Sequence, residues 1–419
     1  MTDRWNMIGA AILLIGDELL AGEVRDLNGP FFAEQLTRAG FRIRAVRFLA
    51  DDTEAIVREL REALGCGGLL VVCGGLGPTS DDRTTEAVAA AVGRDLVLEK
   101  EQWQRIRQIF ASFRGHEPPP GNEKQAMVPR GSEILRNGLG TAPGYVIEEG
   151  DAVVAVLPGP PRENRPMLEA ELLPWLDRRM PDRGRMVTRV FRVFGLAESE
   201  VGHRLGPLEA RYTRLRVGYQ FHFPEILAKL RGSSEDPAML DRASAELMEV
   251  LRPHVYGTGA ETLPAVLGRE LAARGLRIAT AESCTGGLVA KLLTDTPGSS
   301  GWMETGWVTY SNAAKERFLG VPAGLLSRHG AVSEPVALAM LEGALERSGA
   351  QVGIAVTGIA GPEGGTADKP VGTVCIAWGR RGAPATAKTY GFHWDREYNR
   401  MISAWAAMYH LYQDLMVER

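Results

Sequence analysis

The residues best equipped for chemistry fall in two glycine-rich constellations, one towards each end of the chain. The first, VVCGGLGPTSDDRTTEAVA, occupies residues 71–89. An apolar run stops at Gly74, Gly75 and Gly77; Pro78 and Thr79 follow, and Asp81 and Asp82 stand before a helical stretch. Glycines let backbone N–H groups approach a ligand closely, and a helix N-terminus favours an anion. Two carboxylates beside such a loop suit a divalent metal held against phosphate oxygens. The same pair would serve equally as cap and dipole partner of the helix. Three more segments read with this one. IGDELLAGEVRDLN (residues 15–28) places Asp17, Glu18 and Asn28 after an apolar run, GNEKQAMVP (121–129) supplies Lys124, and LPGPPRE (157–163) carries Pro158 and Gly159.

The second constellation begins with AESCTGG (residues 281–287), again an apolar run opening into a helix. Ser283, Thr285 and the N–H groups of Gly286 and Gly287 could bind a phosphate or a carboxylate. The stretch 297–320, PGSSGWMETGWVTYSNAAKERFLG, adds Ser299, Ser300, Tyr310 and Lys315, and VTGIAGPEGGTADKPVG (356–372) adds Thr357 and Gly358 in a further glycine-rich loop. One such loop is a weak signal, but several in this order within ~100 residues are a strong one.

These loops need a scaffold whose strand ends converge. Apolar runs at 10–15, 69–73 and 153–157 predict strands covered on both faces, with helical spacing at 31–39 and 54–64 between them. Candidate strands at 276–281, 308–310, 352–356 and 374–378 alternate with helices in the last part. Each pattern implies an α/β layer with a mostly parallel sheet, whose ligands bind at the carboxyl ends of the strands. Between them the pattern changes, beginning with LPWLDRRMPDRGR (173–185). Alternating stretches at 187–194 and 215–223 and a helix at 237–251 predict a small α+β unit. The organisation is therefore two α/β domains, 1–172 and 258–419, joined by an α+β domain over 173–257.

The composition narrows the function. The chain has 419 residues, 45% hydrophobic and 24% charged, and 48 basic residues nearly balance 52 acidic ones. A partner of a nucleic-acid backbone ordinarily carries a basic excess, so direct nucleic-acid binding is disfavoured. The middle stretch has fourteen Lys/Arg against eleven Asp/Glu and lacks a G-x-x-G clamp. Tyr219, Phe221 and Phe223 alternate there, which suits base stacking and a packed strand face equally well. No apolar run reaches the ~20 residues of a membrane span. Cys66, Cys73, Cys284 and Cys375 form no C-x-x-C pair, which suggests free thiols in a reducing cytoplasm.

The chain resembles the competence/damage-inducible CinA family: a molybdopterin-binding-like domain in the amino-terminal segments, a KH-like middle domain, and a nicotinamide-nucleotide amidase domain in the carboxy-terminal motifs. The resemblance implies a nucleotide pocket at the amino end lined by Asp17, Asn28, Gly74, Gly75, Gly77, Thr79, Lys124, Pro158 and Gly159. It further implies an ADP-ribose pyrophosphatase with Asp81 and Asp82 on a divalent ion of the Mg, Mn or Co class. At the carboxy end it implies hydrolysis of nicotinamide mononucleotide to nicotinic acid mononucleotide and ammonia, a step of pyridine nucleotide salvage, without a cofactor.

Amide hydrolysis asks for an activated nucleophile, a proton carrier and oxyanion donors. No His/Asp pattern near these serines announces a triad. A lysine buried without a partner has its pKa lowered and can accept a serine proton. Lys315 is that candidate, with Ser300 as nucleophile on the precedent of Ser/Lys hydrolases. Ser283 and Cys284 are the rival nucleophiles, assigned to substrate contact and to packing. Thr285, Gly286, Gly287 and Gly358 join the substrate contacts, Tyr310 and Thr357 are placed around the ring and carboxamide, and Arg396 of FHWDREYNR at the phosphate. Two other readings stand: a non-catalytic adaptor in DNA uptake or repair, and a molybdopterin-binding amino-terminal domain. A cytoplasmic homodimer is the expected form.

Overall fold

The structure is a computed structural model that describes residues 7–114, 117–181 and 183–417. Its packing resolves into two compact units. One runs up to residue 188 and takes in 232–237; the other comprises 189–231 and the chain from 238 onward.

In the first unit the strands are β1 (Ile8–Ile15), β2 (Phe41–Leu49), β3 (Gly68–Cys73), β4 (Leu96–Leu98), β5 (Met127–Pro129), β6 (Glu133–Leu135), β7 (Gly144–Glu149) and β8 (Ala152–Leu157). Six of them form a sheet in the order β2-β1-β3-β8-β7-β6, while β4 and β5 make a separate ribbon. The first three pairings are parallel and the last two antiparallel. Alternation along the central strands feeds two cores. Ile12, Leu14, Val71 and Ala155 pack on Phe32 and Leu36 of the helix Asn28–Arg38. Leu13, Leu70, Val72 and Val154 pack on Ile56 and Leu60 of the helix Thr53–Leu64. Being buried on both faces is why these strands read as unbroken apolar runs.

The middle sheet is antiparallel, in the order β10-β11-β9-β12, with β9 (Met186–Val193), β10 (Arg216–His222), β11 (Glu225–Ser233) and β12 (Val255–Thr258). The helices Glu198–Arg211 and Pro237–Val250 cover one face through Val201, Leu205, Leu240 and Leu247. Together these make the small α+β element predicted.

The carboxy-terminal sheet runs β14-β13-β15-β16-β17, from β13 (Ile278–Glu282), β14 (Met303–Val308), β15 (Val352–Gly358), β16 (Thr373–Arg380) and β17 (Thr386–Gly391). Strands β14, β13 and β15 are parallel, and β16 and β17 return antiparallel. The helix Glu334–Ser348 covers one face, and the helices Leu263–Ala273 and Arg396–Val417 cover the other. The predicted strand at 308–310 lies earlier, because β14 is an edge strand that alternates half-buried and exposed residues. Its apolar content is diluted, so the sequence signal shifted to the apolar cluster at its end. The molecule is α/β, with two α/β sheets joined by a small α+β element. Among the described residues no helix is long and apolar enough to cross a membrane.

Candidate active site

At the carboxyl ends of β1, β3 and β8 lies a cleft of about 590 Å³. Gly74, Gly75 and Gly77 form one wall, and Pro158 and Gly159 another. At Gly74, φ is +107° and a Cβ would stand 2.3 Å from the Ile15 carbonyl oxygen, so only glycine fits. Five carboxylates also face this space: Glu18, Asp51, Asp81, Asp82 and Glu163. Burial, followed by the negative charges of Asp17, Glu18 and Asp81, pushes the Asp51 carboxyl above its ordinary range against an opposing backbone hydrogen bond. Arg162 is the one cation among the lining residues.

Not every predicted residue here meets the cleft. Asp17 turns aside, its carboxylate accepting from the Asp51 N–H at 3.3 Å while its own N–H donates to Asp51 Oδ2 at 3.1 Å. The Asn28 amide lies behind the wall and donates to the Gly159 carbonyl at 2.8 Å, so it holds the loop rather than a ligand. Thr79 donates its N–H (3.0 Å) and hydroxyl (2.6 Å) to Asp82 Oδ2, which commits one oxygen of that carboxylate to the loop. Lys124 is 3.4 Å from Glu86 and donates to the Thr79 carbonyl at 3.3 Å, in a crevice beside the cleft. Among the described residues no three His, Cys, Asp or Glu side chains converge as a metal cage. The sequence reading missed Asp51, Asn137 and buried Glu163. Asn137 accepts from the Leu139 and Gly140 N–H groups and donates to Glu163 at 2.9 Å, pinning the glycine loop over the cleft. Its position directly before GLG was the available signal.

The second site forms where β13, β14 and β15 end. Lys315 is 1% exposed although it lies in the first turns of the helix Asn312–Leu319. Helical side chains point back towards the N-terminus. Its amine accordingly reaches the Thr309 carbonyl at 2.9 Å and the Tyr310 carbonyl at 3.2 Å, and lies 2.9 Å from Ser283 Oγ. Among the described residues no carboxylate pairs with it. The nearest in sequence to Ser283, Glu282, is sent to the opposite side by strand alternation, where it accepts from the Val289 and Ala290 N–H groups at 3.0 and 2.9 Å. Burial then lowers the Lys315 pKa to about 8, against a small opposing influence of Cys284.

Ser300 is not part of this arrangement. It is exposed in the short turn Ser299–Gly301 that leads into β14. Because β13 and β14 run parallel, with Ile278 beside Met303 and Glu282 beside Val308, the start of β14 is at the opposite edge of the sheet. At roughly 3.3 Å per residue that is a strand length away. The pairing of Lys315 with Ser300 is thereby corrected to Lys315 with Ser283.

Other predicted residues gather around the pair. Gly286 and Gly287 take φ of +60° and +90°, and the Thr285 carbonyl accepts from Arg400 at 2.7 Å. The Thr285 hydroxyl is buried and has no hydrogen-bond partner among the described residues. Tyr310 is 61% exposed, and its hydroxyl accepts from Arg396 Nη2 at 3.2 Å. Arg396 Nη1 donates to the Gly361 carbonyl at 2.5 Å, while Asp395 caps the helix through the Tyr398 N–H. The Thr357 hydroxyl donates to the Ala331 carbonyl at 2.8 Å, and a Cβ on Gly358 would meet Val374, the Thr373 carbonyl and Cys284 within 3.0 Å, so the backbone is closely packed there. Burial pushes the Cys284 thiol up to about 12, consistent with packing.

Comparison with known proteins supplies the family. Residues 11–178 match "Probable molybdopterin binding domain", 188–257 match "Damage-inducible protein CinA KH domain", and 260–415 match "CinA C-terminal domain". A CinA-like protein of Anaeromyxobacter dehalogenans (strain 2CP-C) is 41% identical over 404 residues, covering 95% of this chain and 97% of its own. One from Syntrophotalea carbinolica is 42% identical over 404 residues, with 96% and 97% covered. The chain belongs to the CinA family. Among solved structures, the competence/damage inducible protein CihA from Agrobacterium tumefaciens is 41% identical, covering 37% of this chain and 96% of its own, at a TM-score of 0.35. The CinA superfamily protein KP700603 from Klebsiella pneumoniae is 40% identical, covering 37% and 96%, at a TM-score of 0.36. In this CinA-family chain the residues that the sequence reading missed at the second site are Glu282 and Arg400. Arg400 had a signal, since it follows Arg396 by one helical turn (i, i+4) in FHWDREYNR.

Proposed function

We propose that the carboxy-terminal site is a Ser/Lys amidase that hydrolyses nicotinamide mononucleotide to nicotinic acid mononucleotide and ammonia, a salvage step for pyridine nucleotides. The observation that carries this reading is the buried Lys315 amine, free of any carboxylate among the described residues, 2.9 Å from Ser283 Oγ. As the neutral amine it takes the Ser283 hydroxyl proton while Oγ bonds to the carboxamide carbon. The protonated amine then returns that proton to the departing nitrogen, the C–N bond breaks and ammonia leaves. Water attacks the ester carbon and gives one proton to neutral Lys315; the C–Oγ bond breaks, Lys315 returns that proton to Ser283 Oγ, and the acid leaves as its carboxylate with its remaining proton passing to solvent. The N–H groups of Thr285 and Gly287 are the candidate oxyanion donors, that of Gly286 being taken by the Ser283 carbonyl at 3.0 Å. Arg396 and Arg400 supply cationic forks for the nucleotide phosphate. The test is ammonia release from nicotinamide mononucleotide. Full activity in Ser283→Ala would remove this reading.

A second reading rests on the acidic cleft of the first unit, which we infer to be a pyrophosphatase site for ADP-ribose. Five carboxylates face the cleft with Arg162 as the one cation among its lining residues, and burial followed by the neighbouring carboxylates raises the Asp51 carboxyl. An oxygen-only donor set of this kind fits a divalent ion of the Mg, Mn or Co class that binds through one or two carboxylates plus water and phosphate oxygens. Asp81 and the uncommitted oxygen of Asp82 would hold it. A divalent ion held there would supply positive charge against a diphosphate. The glycine walls admit that diphosphate close to the backbone, and Arg162 meets its outer oxygens. Formation of AMP and ribose phosphate from ADP-ribose, dependent on added divalent ion, is the check. A protein that binds ADP-ribose without turnover would favour the adaptor reading.

A further inference from the structure

The middle sheet touches the carboxy-terminal helix at a revealing place. Strands β10 and β11 form a hairpin in which His222 pairs with Glu225, so Phe223 and Pro224 alone make the turn. The Phe223 ring lies 4.4 Å from Tyr398 and 5.7 Å from Trp394, centroid to centroid, and Phe221 packs on Phe223 at 6.2 Å. Trp394 and Tyr398 stand two residues to either side of Arg396, the side chain that bridges the Tyr310 hydroxyl and the Gly361 carbonyl. The turn itself is anchored from below. Buried Glu225 accepts from Arg192 at 2.6 Å and from the Tyr256 hydroxyl. The first turn of the helix is anchored from the other side by Asn399, whose amide donates to the Ala360 and Trp394 carbonyls at 3.1 and 2.7 Å. An aromatic clamp, the Phe223 ring against Trp394 and Tyr398, therefore joins two fixed elements at the turn that carries Arg396.

We propose that Phe223 is a positioning residue for the carboxy-terminal site. The hairpin tip of the middle element holds the start of the helix Arg396–Val417 so that Arg396 is presented to the substrate's anionic end. This rests on the amidase reading for its kinetic consequence, and on the clamp alone for its structural one. Residues held by offset or edge-on aromatic contacts lose order when the central ring is removed, because the flanking rings lose a common partner. A substrate-binding group held less firmly raises KM and leaves kcat nearly unchanged. The middle element thus acts as a brace for its neighbour, and the three aromatics noted on β10 and its turn have partners within the chain, Phe221 and Phe223 here and Tyr219 against Gly202.

The test uses the full chain with Phe223→Ala, and Phe223→Tyr as the conservative variant. Hydrogen–deuterium exchange is followed at residues 396–400, and ammonia release from nicotinamide mononucleotide gives kcat and KM. In Phe223→Ala, exchange in that turn should speed up by roughly tenfold and KM should rise by roughly tenfold, with kcat within about twofold. Phe223→Tyr should restore both. Should Phe223→Ala not fold, Tyr398→Ala removes the same contact from the other side and carries the same expectation. Unchanged exchange, or faster exchange with KM unchanged, overturns the proposal. A wild-type chain that releases no ammonia defeats the amidase reading instead, and exchange at the turn then decides the clamp by itself.

Discussion

The two candidate sites are built on one local plan, a buried strand running into a glycine-rich loop and then a helix, yet they end in opposite electrostatic conditions. The amino-terminal cleft gathers five carboxylates along an open space of about 590 Å³, and burial, with the charges of Asp17, Glu18 and Asp81, raises the carboxyl of Asp51. The carboxy-terminal site has at its centre Lys315, which no carboxylate among the described residues pairs with, and burial lowers its pKa to about 8. One arrangement suits a cation and a polyanion arriving together. The other suits a neutral base acting on a hydroxyl. The plan of loop and helix does not choose between them. What chooses is the side chain that the neighbouring element delivers to the strand end, an aspartate after β2 in one case and a lysine from a helix after β14 in the other.

The sharpest way to break this comparison is at Ser283. Ser283→Ala or Lys315→Ala should cut ammonia release by about ten-thousand-fold, the scale at which removal of a nucleophile or its base acts. Ser300→Ala should leave the rate within about twofold, since its hydroxyl is exposed at the far edge of the sheet. The amino-terminal counterpart is smaller. Asp82→Ala should lower metal-dependent cleavage of ADP-ribose by about a hundredfold, because it removes an oxygen of the proposed metal site and also releases the Thr79 turn. The same variant should leave ammonia release unchanged. A loss of both activities would deny that the two sites work on separate chemistry.

Lysine titration offers a test that only the carboxy-terminal site should pass. The Lys315 pKa is lowered from 10.5 to about 8, so the neutral base grows tenfold per pH unit below that point. Amidase kcat/KM should rise with pH and level off above about 8. Stability carries the same sign. Between about 8 and 10.5 the unfolded chain holds a proton that the folded chain does not, so wild type should gain on Lys315→Met by about 1.4 kcal/mol per pH unit in that window, and show no relative change below it. Denaturant titrations of both proteins from pH 7 to 9.5 measure it, and a flat difference would mean that the amine stays charged.

The two regions also differ in how far they could be read from the sequence. The central strands, the glycine walls and Lys315 itself were legible, because buried strands and left-handed turns leave local signatures. The partner of Lys315 was not. Ser300 is fifteen residues away along the chain and Ser283 is thirty-two. Sequence spacing favours the first, but parallel pairing of β13 with β14 delivers the second. The rule that ligands gather at the carboxyl ends of parallel strands would have chosen correctly, since Ser283 follows a strand and Ser300 precedes one. Glu282 was invisible for a different reason: its role depends on the helix Leu288–Thr294 offering two N–H groups to it. In the amino-terminal cleft, Asn28 was found as a conspicuous polar residue, but only the fold shows that its amide faces the Gly159 carbonyl and not the cavity.

The smallest expected effect separates support from chemistry at the second site. Tyr310 is mostly exposed, and its hydroxyl meets Arg396 at 3.2 Å, while Arg396 keeps a second hold on the Gly361 carbonyl. Tyr310→Phe removes one of two supports and retains the ring, so KM should rise by about threefold with kcat unaltered. Steady-state kinetics on nicotinamide mononucleotide read the split directly. A fall in kcat of tenfold or more would place the hydroxyl on the reacting atoms, and the site would then need one polar group, the Tyr310 phenol, besides the Ser283–Lys315 pair. That outcome would leave the contrast with the carboxylate cleft intact but change its terms, from a lone buried base to a base working with a phenol at the mouth of the pocket.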